Sequence, residues 1–214
     1  MTLKNKRMDN KDRIGIIIQA RLNSYRLPAK VLLHFKDKPM LLHLIDRLKN
    51  IDDVDTIAVA TSIKKEDTLI TQLCDENNVK YVRGSNNNLI SRFKKASKKF
   101  NLDVIVRLTG DNPLVSIDVI EQCIKYHNND KFNITSTRVL VDEKIVERST
   151  PKGHSVDVLN CHFLNQIDEK NLTSYDLEHL IPFFYNDNSR VNYLNINNKK
   201  LDSCTVDTVQ DYYK

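Results

Sequence analysis

Glycine is scarce in this chain, 4 in 214 residues. Neither of the common glycine-built phosphate cradles is present, since both GxxxxGK[ST] and GxGxxG are missing. A Walker A loop and the dinucleotide-binding fingerprint are thereby excluded. Cysteine is also sparse. Cys74, Cys123, Cys161 and Cys204 are scattered, with no CxxC and no Cys/His pair at zinc spacing. That argues against a disulfide framework and a zinc site. No stretch approaches the ~18 apolar residues of a membrane span, and the opening residues 1–13 are polar and charged without an apolar leader. The cytoplasm is the expected compartment, with no membrane partner. Charge is only mildly unbalanced, +5 overall, and no basic stripe with interleaved aromatics appears, so no nucleic-acid partner is expected. Lys94-Lys95 and Lys98-Lys99 fit an exposed helix face. Hydrophobic residues make up 40% of the chain, enough for a substantial core.

The order of apolar patterns is informative. Residues 1–12 read as a flexible tail, with a single domain over 13–214. Ile14-Gly-Ile-Ile-Ile-Gln-Ala20 is a continuous apolar run, as in a strand buried on both faces of a parallel sheet. Strands are also predicted at Val54–Ala60, Val79–Val82 and Asp103–Leu108, and helices at Met40–Leu48, Glu66–Asn77, Leu89–Phe100 and about Ile117–Tyr126. Four strand–helix alternations indicate an α/β, doubly wound, mostly parallel sheet with helices on both faces. Over about 132–200 the pattern departs into a small substrate-binding lobe. It has short strands at Phe132–Thr137 and Ser155–Leu159, a helix at Leu177–Tyr185 and alternation at Val191–Ile196. Ser203–Asp207 is expected as a last strand before a terminal helix. Gly84, Gly110 and Gly153 fall at strand ends or at the start of the excursion, where backbone approaches ligand in open α/β sheets.

Three segments carry chemistry. The loop Arg21-Leu-Asn-Ser-Tyr-Arg-Leu-Pro-Ala-Lys30 sets Arg21, Arg26 and Lys30 beside Ser24, directly after a buried strand. Such a cluster can neutralise a triphosphate, although cations in a loop also describe a solvated surface. In Thr109-Gly-Asp-Asn-Pro-Leu114, Asp111 suits a Mg²⁺ ligand or a turn cap. Asp207 in Thr205-Val-Asp-Thr-Val-Gln-Asp211 has the same ambiguity. Together the three make a coherent metal–triphosphate site.

Gln19 to Lys30 resembles QARxxSxRLPxK, the first-loop signature of the sugar-nucleotide cytidylyltransferases. The two Asp segments resemble that family's GDxPL and VDTPED motifs, in the same order. Arg83-Gly-Ser85 with Leu89 and Arg92-Phe93 resembles its RGSxxxxLxRF segment, and Pro151-Lys-Gly153 and Glu178-His179 with Pro182 its later motifs. The similarity extends from about Ile14 to the C-terminus. It is to the spore coat polysaccharide biosynthesis protein F type and to the acylneuraminate and 3-deoxy-manno-octulosonate cytidylyltransferases.

The resemblance implies a three-layer, Rossmann-like fold of the nucleotide-diphospho-sugar transferase type. It implies Mg²⁺-dependent transfer of CMP from CTP to an acidic sugar or similar small acid, releasing pyrophosphate, in surface polysaccharide synthesis. Arg21, Lys30, Asp111 and Asp207 would be catalytic, with Asp111 and Asp207 holding Mg²⁺. Ala20, Arg21, Ser24, Arg26, Lys30, Ser85, Arg92, Thr109 and Gly110 would hold the nucleotide, and Gly153, Ser155, Asp157, Glu178 and His179 the second substrate. A homodimer is left open. The rival readings are a transferase for another triphosphate and a non-catalytic nucleotide-sugar binding module. The chain departs from the family at Asn23 and Ala29, where Gly is common, at Gly153-His-Ser-Val-Asp157 in place of Gly-x-Asp-Val-Glu, and at Asn86 to Asn88.

Overall fold

The computed structural model describes residues 11–141, 145–186, 190–196 and 201–214. β1 (Ile14–Gln19) leads through the polar loop to a one-turn 3-10 segment at Lys30–Leu32. A two-residue hairpin follows, β2 (His34–Phe35) with β3 (Lys38–Pro39), and then α1 (Met40–Leu48). Next come β4 (Thr56–Ser62), α2 (Thr68–Glu76), β5 (Lys80–Gly84), α3 (Leu89–Phe100), β6 (Val104–Thr109) and α4 (Ile117–Tyr126). β7 (Ile134–Ser136) is followed by a separate hairpin of β8 (Arg138–Val141) and β9 (Ile145–Arg148), then by β10 (Asp157–Asn160) and α5 (Cys161–Gln166). α6 (Ser174–His179), α7 (Ile181–Asn186), β11 (Val191–Tyr193) and α8 (Val209–Tyr212) complete the order.

Seven strands form the central sheet in the order β11-β7-β10-β6-β1-β4-β5. β1 pairs in parallel with both β4 and β6, whereas β10 lies antiparallel between β6 and β7. The sheet is buried on both faces because β1 is apolar on both. Ile16 and Ile18 pack with Leu41, Leu44 and Leu48 of α1, Ile70 of α2 and Ile120 of α4. Ile17 packs on the other side with Phe93 of α3, Leu164 of α5 and Phe184 of α7. The result is three layers, helix–sheet–helix. The chain moves outward from β1 to β4 and β5, then returns to β6 on the other flank of β1. The order therefore reverses between β1 and β6, and their carboxyl ends open the crevice where such sheets bind ligands.

Two expected elements differ. Ser203–Asp207 joins no sheet among the described residues, because its N–H groups are taken by loops. The Cys204 N–H donates to the Lys152 carbonyl and the Val206 N–H to that of Asp111, each at 2.9 Å. The helix expected at Leu177–Tyr185 is broken into α6 and α7 at Leu180, which has φ 59° and is fully buried. Pro182 cannot donate to a continuing ladder, and it sits in the first turn of α7, where no such donor is needed.

Candidate active site

The loop after β1 is shaped by contacts at both ends. The Leu22 N–H donates to Asp67 at 2.7 Å, and the Ser62 N–H and hydroxyl donate to the same buried carboxylate. The Ala29 N–H closes the loop on the Leu22 carbonyl at 2.9 Å. Ala29 is left-handed, with φ 55° and ψ 19°, and caps the 3-10 turn that begins at Lys30. Of the two family glycine positions, the left-handed backbone thus falls at Ala29, and Asn23 is not among the positive-φ residues.

The opposite wall comes from the ends of the chain's two Asp segments. The Gly110 N–H donates to the Gln19 carbonyl at 2.9 Å, which ties the β6 end to the β1 end. A Cβ at Gly110 would lie 3.2 Å from Val31 and 3.3 Å from Ala20, so the smallest residue suits this close approach. The Thr205 hydroxyl donates to the Asn112 side chain at 2.7 Å, and the Val206 N–H to the Asp111 carbonyl. These bonds lock the Asp111 and Asp207 segments together.

The two carboxylates meet at one ammonium. Lys30 Nζ lies 2.6 Å from Asp111 Oδ2 and 2.9 Å from Asp207 Oδ1. Arg26 adds a contact of 3.0 Å to Asp207 Oδ1, and Lys152 one of 2.7 Å to Asp207 Oδ2. Lys30 is 8% exposed and Asp207 7%. Burial pushes the Asp207 carboxyl up, but the hydrogen bonds from Lys152 and Lys30 outweigh it and hold the carboxyl down at about 2.

A cavity of 380 Å³ opens over this cluster. Its lining includes the expected Ala20, Arg21, Ser24, Arg26, Lys30, Arg92, Thr109, Gly110, Asp111, Glu178, His179 and Asp207. Arg21 reaches Glu178 on α6 at 3.1 Å across the mouth, and the His179 ring lies 4.5 Å from that of Tyr175. Arg92 is 4% exposed, and among the described residues its Nε has no partner. A Cβ at Gly84 would lie 2.6 Å from its Cγ, so that glycine makes room for the Arg92 stem. Burial, with the charge of Arg21, lowers the Arg92 guanidinium to about 10, leaving it charged at neutral pH.

Four expected residues lie off the cavity wall. Ser85 is exposed on the loop after β5. Gly153 has φ 102°, and a Cβ there would meet Cys204 Sγ at 2.6 Å and the Thr205 N–H nitrogen at 2.7 Å. Its role in the structure is to let the 151–154 turn press against the segment leading to Asp207. The Ser155 hydroxyl is buried without a partner among the described residues. Asp157, 2% exposed, pairs with Arg107 at 2.8 Å and accepts from Ser136 at 2.6 Å. Sequence reasoning missed Gln19, Asn23, Tyr25, Val31 and Leu89 in the lining, and Lys152 on Asp207. Lys152 does stand in the Pro151-Lys-Gly153 segment singled out above, but its pairing with a residue 55 positions away leaves no local signal.

Around the carboxylates Asp111, Asp207 and Glu178 stand Arg21, Arg26, Lys30, Arg92 and Lys152, which leaves a positive surplus for an anionic ligand. No group of three or more His, Cys, Asp or Glu side chains suited to a metal occurs among the described residues. The Asp111–Asp207 pair nonetheless fits Mg²⁺, which takes one or two carboxylates and completes its shell with phosphate oxygens and water. The Lys30 ammonium lies between the same two carboxylates.

A family model described as Cytidylyltransferase matches residues 15–210. The chain is 40% identical over 169 residues to the uncharacterized protein MJ1063 of Methanocaldococcus jannaschii, covering 79% of this chain and 65% of that one. It is 29% identical to the spore coat polysaccharide biosynthesis protein SpsF of Bacillus subtilis, covering 93% and 83%. A solved cytidylyltransferase from Leptospira borgpetersenii superposes with a TM-score of 0.84 at 28% identity, covering 94% and 84%. Because the family model spans residues 15–210, the chain belongs to the cytidylyltransferase family.

Proposed function

We propose that the protein transfers CMP from CTP to a small acidic, sugar-like acceptor, with Mg²⁺, and releases pyrophosphate. The observation that carries this reading is the Lys30 ammonium joining Asp111 and Asp207, with Arg26 beside it, at the carboxyl ends of β1 and β6. An acceptor oxygen attacks the α-phosphorus as the bond to the leaving pyrophosphate breaks. No protein nucleophile is needed. Arg21, Arg26 and Lys30 hold the triphosphate, and the surplus positive charge offsets charge developing on the leaving group. Mg²⁺ held by Asp111 and Asp207 would supply further charge neutralisation at the phosphates. Glu178 and His179, on the lobe side of the cavity, face the acceptor half. The family name supports CTP as donor, and the B. subtilis relative's name supports a role in polysaccharide synthesis.

The test is pyrophosphate release from CTP and Mg²⁺ across a panel of acidic sugars. Asp111→Asn should abolish it, and unchanged turnover would remove Asp111 from the metal site. Thermal shifts with each of the four ribonucleoside triphosphates and Mg²⁺ address the rivals. Stabilisation by another base instead of CTP would indicate a different donor, and stabilisation by none would indicate a non-catalytic module.

A further inference from the structure

Lys30 is engaged with two carboxylates that a metal would also need. Its ammonium lies within 2.9 Å of both, it is nearly buried, and each oxygen of Asp207 is occupied, Oδ1 by Lys30 and Arg26 and Oδ2 by Lys152. A divalent cation arriving alone would have to displace these contacts. It would then leave a buried ammonium without a counter-charge, a costly state. A triphosphate arriving alone would draw the loop cations away and leave Asp111 and Asp207 unpaired beside its own negative charge. When both arrive, the ions exchange partners: phosphate oxygens take the ammonium and guanidinium groups, and the metal takes the carboxylates. With both bound, each of these charges has a partner again.

We propose that Lys30 is a built-in counter-ion that closes the Asp111–Asp207 pair to a divalent cation until a triphosphate draws its ammonium away. The inference rests on the reading of that pair as the metal site. It makes metal and nucleotide binding positively coupled, and the coupling is reciprocal, so each raises the other's affinity by the same factor.

The test uses Mn²⁺ alone, followed by its electron paramagnetic resonance signal, on the full chain and on Lys30→Met, which keeps an unbranched stem and removes the charge. Lys30→Met should bind Mn²⁺ without nucleotide at least tenfold more tightly than the wild type. Its melting temperature should rise with Mn²⁺ alone while that of the wild type stays put. Equal Mn²⁺ affinity in the two proteins would overturn the proposal. Adding Asp111→Asn to Lys30→Met should erase the gained site. A gained site that survives this change would overturn the metal-site reading and the proposal with it, whereas equal affinity alongside a working, Asp111-dependent pyrophosphate assay sinks only the proposal. Should Lys30→Met fail to fold, paramagnetic broadening in the wild type decides. The Asp111 and Asp207 amides should stay sharp with Mn²⁺ alone and broaden once CTP is added, and broadening by Mn²⁺ alone would count against a closed pair.

Discussion

Ala29 holds φ 55°, in the region L-residues occupy at a cost of ~1–2 kcal/mol. Its neighbour Lys30 depends on that turn to begin the 3-10 segment. Glycine would remove the strain and lose more chain entropy on folding, ~0.5–1 kcal/mol. Ala29→Gly should therefore stabilise the protein by up to about 1 kcal/mol, read from urea denaturation midpoints, and a destabilised variant would show that the methyl's packing outweighs the backbone term. Asp207 makes the second residue-scale prediction. Its carboxyl is held at about 2, below the ordinary 3.8, so it binds protons less readily folded than unfolded. The resulting stability is complete above the ordinary carboxylate value and is lost as pH falls through about 2. Asp207→Asn should be less stable than wild type at neutral pH, with a flatter stability profile through that acid window. Parallel profiles would mean that the three cations do not stabilise the ionised form.

At the scale of elements, β10 ties β7 and β11 to the parallel strands by pairing with β6, and its first residue makes an ion pair across that pairing. Asp157 faces Arg107 across the antiparallel pairing of β10 with β6, and Arg107 extends the chain to Gln19 at 3.0 Å. Removing one partner of a buried ion pair costs ~3–5 kcal/mol. Asp157→Ala should lose stability on that scale in chemical denaturation while keeping CTP affinity, and a variant as stable as wild type would refute the structural role. The β1-to-α4 alternation was legible in the sequence because those strands are apolar on both faces and the helices keep helical spacing. The cation loop and the Asp111 motif were legible as well, since each follows a buried strand directly, whereas the Asp207 motif was legible only through its likeness to a family pattern. What was not legible depends on partners distant in the chain. Ser203–Asp207 has the composition of a strand, but its donors go to Lys152 and Asp111. Leu180 lies within a helical pattern, and only its buried, positive-φ backbone shows the break. Lys152 and Asp157 are both charged residues after a polar stretch, and sequence cannot tell the one that reaches the Asp pair from the one that ties two strands.

For the whole molecule, the site exists only when remote parts of the chain are brought together. Lys30 and Asp207 are 177 residues apart, and Arg21 and Glu178 157 apart. The two halves are anchored unequally. Arg21 to Lys30 and Asp111 spring from β1 and β6, whose interior residues are almost wholly buried. α6, which supplies Glu178 and His179, contains no buried residue, and its link across the cavity mouth is the half-exposed Arg21–Glu178 pair. Such exposed pairs contribute little, ~0–1 kcal/mol. Local opening follows few buried contacts, so α6 amides should exchange with solvent much faster than those of β1, β4 and β6. Bound CTP and Mg²⁺ would compete for Arg21 yet fill the cavity beneath α6, putting ligand atoms where solvent now meets Glu178 and His179. If filling the cavity dominates, hydrogen exchange in α6 should slow on adding CTP with Mg²⁺, while β1 and β6 change little because they are already protected. If loss of the ion pair dominates, exchange in α6 should instead quicken. Unchanged exchange in α6 at saturating ligand would show that this wall takes no part in holding the nucleotide and would confine the binding surface to the loop after β1 and the Asp111 and Asp207 segments.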